Sequence, residues 1–139
     1  MLETTRNSLP TQRRDLSIHD LDQAGARLRA QALWHTHGQG AVTLIRQPEL
    51  RVVLMELRAG ARMLEHRTVA QVTIHALRGR VHLRIGDRRV SLAAGQLLVL
   101  DHDVTHDLVA DEDSAVLLTL AWPGDPAPPE APGAAGGAS

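Results

Sequence analysis

Imidazoles and carboxylates hold nearly all the chemistry this sequence offers. Its 139 residues contain eight histidines and 16 aspartates and glutamates, but no cysteine, tyrosine or phenylalanine, and all 15 basic residues are arginine. Without lysine there is no Schiff-base nucleophile and no P-loop lysine. Without cysteine there is no thiol catalysis, disulfide framework, iron–sulfur cluster or thiolate zinc site. No G-x-S-x-G is present, which excludes a hydrolase elbow. A neutral imidazole, by contrast, ligates divalent transition metals, and in an apolar pocket it serves as a general base. The histidines whose spacing is most informative are His66 and His106, forty positions apart.

His66 lies in Gly60-x5-His66, with Gly79 thirteen residues further on. His106 lies in Gly95-x5-Asp101-x-Asp103-x2-His106-x3-Ala110. In these two stretches the sequence resembles the cupin family, whose first motif reads G-x5-H-x-H-x3,4-E-x6-G and whose second reads G-x5-P-x-G-x2-H-x3-N. Gly60, His66, Gly79, Gly95 and His106 fall on family positions, and the resemblance runs from Thr43 to Trp122. It implies an all-β fold: a double-stranded β-helix, the RmlC-like jelly-roll barrel, carrying one N-terminal α-helix. It also implies a metal held by two histidines and a glutamate of the first motif and one histidine of the second. Here the second histidine position is Thr68, and the glutamate position is Val72, or Gln71 if the strand is shifted by one. The second motif's Pro, Gly and Asn are Asp101, Asp103 and Ala110.

Strand alternation puts His66 and Thr68 on one face, and His106 is expected to join them across the barrel. Two imidazoles without a carboxylate make an incomplete site, because catalytic zinc usually takes three protein ligands and non-heme iron two histidines plus a carboxylate. The residues therefore predict weak binding of a divalent transition metal (Zn, Ni, Fe, Cu or Mn) at His66 and His106, or none. His35 and His37 share a face if Trp34–His37 is extended, and would supply further ligands if that segment folded over the barrel mouth; a polar hinge is the alternative. Glu65 should point away from His66. His82 shares a face with Arg84, at solvent or a subunit interface, His75 sits in a strand among apolar neighbours, and His102 falls in an exposed turn. Asp101, Asp103 and Asp107 lack the spacing and glycine of an EF-hand loop and read as a solvated turn at the rim.

The elements that must position these groups follow from periodicity. Residues 1–15 are polar and irregular, and residues 16–40 comprise a helix and a hinge. Ile18, Leu21, Ala24, Leu28 and Ala32 recur at helical spacing, which predicts an amphipathic helix over Leu16–Ala32 with a capping box at Ser17 and Asp20. From 41 to 122 the period becomes two. Strands are predicted at Ala41–Arg46, Arg51–Leu57, Val69–Leu77, Val81–Ile85, Arg89–Leu92, Gln96–Leu100, Asp107–Val109 and Ala115–Trp122, as in an antiparallel barrel. Val53, Met55, Leu57, Ile74, Leu97, Val99, Leu108 and Leu118 are the expected lining. Residues 123–139 are rich in Pro, Ala and Gly and read as a disordered tail.

The whole suits one domain with a core, being 43% apolar. A net charge of −1 and the scarcity of aromatics exclude a nucleic-acid platform, and no apolar run reaches the roughly 18 residues that span a bilayer. The expectation is a soluble cytoplasmic protein that binds or senses a small molecule in a pocket lined by His66, Thr68, Gln71 and His106, and the resemblance to cupins implies a homodimer. A metal-dependent oxygenase or isomerase, its third ligand coming from His35 or His37, is the alternative. An interaction protein with a filled barrel is a third. The Arg-rich positions 78, 80, 84, 88 and 89 are expected to face the acidic stretch Asp111–Asp113.

Overall fold

The structure, a computed structural model, describes residues 16–66 and 68–123, without the side chains of residues 64–66. The N-terminal segment and all of the tail beyond Pro123 lie outside the described residues. Two short helices lead into nine strands: α1 (Leu21–Arg29) and α2 (Ala32–His37), then β1 (Gln39–Arg46), β2 (Leu50–Leu57), β3 (Arg62–His66), β4 (Gln71–Arg78), β5 (Arg80–Ile85), β6 (Arg88–Ala93), β7 (Leu97–Leu100), β8 (His106–Ala110) and β9 (Ser114–Ala121). The strands form two antiparallel sheets, ordered β1-β2-β9-β4-β7 and β3-β8-β5-β6.

The inner faces of the two sheets make one core. Rows of register partners cross the first sheet as Val53, Leu118, Ile74 and Leu98, and the second as Met63, Leu108 and Leu83. Ile74, Leu83 and Leu108 are fully shielded from solvent. Strand parity decides this: residues at i and i+2 share a face, so each strand sends one alternating set inward.

Helix α1 begins at Leu21 rather than Leu16, because Asp20 takes the cap: its carboxylate accepts from the Gln23 N–H at 2.9 Å, whereas Ser17 bonds the His19 ring. The helix also stops early, at Arg29. Residues 32–37 form a separate helical turn, closed by Gly38 at φ 75°. Trp34–His37, for which an extended segment and a polar hinge were the alternatives, is therefore helical. The strand at His66 was expected without bounds, since Met63 and Leu64 are adjacent and break the alternation; it runs Arg62–His66. Strand β7 shows the opposite parity to that expected. Leu98 and Leu100 turn inward while Leu97 and Val99 are 58% and 61% exposed, because an unbroken apolar run carries no parity of its own.

Candidate functional site

His106 is the first residue of β8 and lies on the face that carries Leu108 and Ala110 into the core. It is 2% exposed. Its Nδ1 lies 3.1 Å from the Val104 carbonyl oxygen. A carbonyl can only accept, so Nδ1 carries a hydrogen. The same arrangement, an imidazole N–H on a backbone carbonyl, orients metal-bound and ligand-bound histidines generally.

The backbone of His66 is the register partner of His106 across the β3–β8 ladder, and Ile85 flanks His106 on the other side. The side chain of His66 lies outside the described residues. The two positions are thus neighbours within one sheet and do not meet across the barrel. Thr68 lies beyond the end of β3, so the alternation invoked for it does not reach that far. Its hydroxyl accepts from the Ala70 N–H at 3.1 Å. Gln71 does not line the interior: it alternates with Val72 and Ile74, which enter the core, and is therefore exposed, with its amide donating to Asp101 at 3.3 Å. Val72, at the motif's glutamate position, is 3% exposed.

These contacts define one end of the barrel. The Asp103 N–H donates to the Thr68 carbonyl at 2.8 Å, so the segment before β8 is stitched to the segment after β3 by that bond and by Gln71. Asp103 occupies the position of a motif glycine and has φ 63°. Aspartate is among the few side chains that enter this left-handed region, so the departure from the motif keeps the turn. The turn at the rim was expected from Asp101, Asp103 and Asp107, but the Val104 carbonyl was not singled out in the sequence.

His35 and His37 are exposed on α2, two residues apart on a helix and so on different sides. Helix α2 docks at the far end of the barrel: Arg58 reaches the His35 carbonyl, and Gly60 and Ala61 pair with Ala110, four residues along β8 from His106. At about 3.3 Å per residue this is about 13 Å. Among the described residues no three His, Asp or Glu side chains gather as a metal-holding group. His82 is 8% exposed and bonds Asp111 at 2.8 Å, with Arg89 3.9 Å from the same oxygen. Of the arginines expected against the acidic stretch, Arg78 pairs with Glu56 instead.

A model of the Cupin domain matches residues 53–122. This chain belongs to the cupin family. No curated protein matches the sequence. Among solved structures, a conserved protein of unknown function from Streptococcus pyogenes is similar over 87% of this chain and all of its own, at 20% identity and a TM-score of 0.67. KdgF from Halomonas sp. is similar at 22% identity and a TM-score of 0.57, over 60% of this chain and 80% of its own. A variant of salicylate 1,2-dioxygenase from Pseudoaminobacter salicylatoxidans is similar at 17% identity and a TM-score of 0.66, over 74% of this cupin and 34% of the dioxygenase chain. At such identities the likeness is one of fold. Among the described residues of this cupin, no helix is long and apolar enough to cross a membrane.

Proposed function

We propose that this cupin binds or senses a small molecule at the barrel end where positions 66 and 106 are register partners, with a divalent metal held weakly or not at all. The observation that carries this reading is the buried His106, held by the Val104 carbonyl, in a core whose motif glutamate is a buried valine. A buried polar group held in place by the backbone, set among apolar neighbours, is the kind of group that orients a small ligand. The residues fit a three-ligand metal centre poorly. Thr68 offers a neutral oxygen engaged with its own turn, and Val72 offers none. Thr68, Gln71, Asp101 and Asp103 then act as the rim that shapes the entrance. The oxygenase or isomerase reading needs a third strong ligand, and His35 and His37 stand at the other end of the barrel.

Histidine-ring NMR during a screen of small polar organic compounds tests the proposal. A ligand is expected to shift the His106 ring signals saturably, and His66→Ala is expected to weaken it. Hits that shift only other residues would overturn it.

The reading includes a homodimer through the outer face of the first sheet. Exposed Leu97 and Val99 continue there into rows with the half-buried Leu117 and Val52. Light scattering is expected to give twice the 15.1 kDa chain mass for the wild type and the single mass for a Leu97→Arg, Val99→Arg double variant. A monomeric wild type would contradict this.

A further inference from the structure

Outside the barrel, α1 and the outer face of the first sheet line an open cavity of about 230 Å³. Its charged lining is balanced, with Arg29 and Arg78 set against Asp22 and Glu56, beside the half-buried Leu77. Glu56 is 2% exposed, and its Oε1 receives both Arg29 at 3.0 Å and Arg78 at 2.7 Å. Gly25 makes this burial feasible: a Cβ there would run into the Glu56 carboxylate, so the helix backbone lies directly over it. A guanidinium presents five N–H donors in a planar fork, and Glu56 engages one nitrogen of each arginine. The arginine side chains are 38% and 48% exposed, so the buried carboxylate anchors them while their remaining edges stay accessible. Asp22, in the first turn of α1, is exposed on the same wall.

We propose that this cavity binds a zwitterionic α-amino acid with an apolar side chain. Its carboxylate takes the outer edges of Arg29 and Arg78, its ammonium turns to Asp22, and its side chain covers the half-buried Leu77. A simple anion would meet two carboxylates here and a simple cation two guanidiniums. A zwitterion satisfies both signs and adds no net charge to a partly desolvated space. The volume is below the roughly 300–1,000 Å³ of drug-sized sites, which suits a compound of about ten heavy atoms.

Amide NMR of the full chain, titrated with L-leucine, isopentylamine and 4-methylpentanoate, tests the assignment. Leucine is expected to shift amides of α1 and of residues 77–78 saturably, while each half-ligand binds at least about tenfold more weakly. Asp22→Asn, an exposed change that keeps the fold, and Arg78→Gln are each expected to weaken leucine by about tenfold or more. No saturable shift with millimolar leucine, 4-methylpentanoate binding as tightly as leucine, or undiminished binding to Asp22→Asn would overturn the proposal. Shifts at α1 and at His106 are read separately, so this test stands apart from that of the barrel pocket.

Discussion

Val72→Glu is expected to destabilise the metal-free protein by roughly 3–5 kcal/mol, the cost of an uncompensated buried charge. Val72 is 3% exposed and sits in an inner row between Leu100 and Leu120, where no polar partner is in register. The loss should shrink as the pH falls, because a neutral carboxyl is cheaper to bury than a carboxylate. The position is also the one at which the cupin motif carries a glutamate. With His66 and His106 retained, the variant should therefore gain the missing donor. Ni²⁺ or Zn²⁺ at a hundred times its Kd should restore about 2.7 kcal/mol. Combining the change with His106→Ala should abolish that recovery. Thermal melts with and without metal read all of these. An unchanged Tm without metal, or a loss that no divalent ion reverses, would show that position 72 does not point where the motif implies.

Gly79→Ala is expected to cost about 2–5 kcal/mol, as handedness strain and overpacking together. Gly79 turns the chain from β4 into β5 at φ 80°, and a Cβ there would strike the Asp113 carbonyl and the Ser114 backbone. Those atoms have little freedom to yield. Ser114 is fully buried; its hydroxyl accepts the Arg80 N–H at 3.0 Å and donates to the Glu112 carbonyl at 2.7 Å. Gly60 and Gly86 also have positive φ, but nothing lies within 4 Å of where their Cβ would stand. Gly60→Ala and Gly86→Ala should therefore show only the backbone cost, about 1–2 kcal/mol. Urea midpoints compare the three, and equal losses would mean that the crowding at Gly79 is relieved by movement.

The jelly roll was legible because most strands alternate cleanly, and because Gly79 and Gly95 mark turns whose backbone only glycine adopts easily. It failed where alternation fails. Leu97-Leu-Val-Leu100 is apolar throughout, so only pairing with β4 decides which set turns inward. Met63-Leu64 hid the bounds of β3 for the same reason. The helix was placed too early because Ser17 and Asp20 both have capping side chains, and local spacing does not choose between them. In the site, His66 and His106 were picked out by spacing, but their relation was not. Register is a property of the sheet, and it makes them neighbours in one ladder. Gln71 was drawn into the pocket by shifting the motif by one residue, which parity forbids once Val72 is buried. Glu56 gave no signal beyond being a lone acid in the run Val52–Leu57. Its burial depends on Gly25 and two arginines distant in sequence.

The central claim is a histidine pocket without the carboxylate that would make it a metal centre. Elemental analysis of untagged protein, set beside the same measurement on His66→Ala, tests it most directly. Both samples are expected to carry far less than one equivalent of any transition metal. One stoichiometric metal in the wild type, lost in His66→Ala, would contradict the claim.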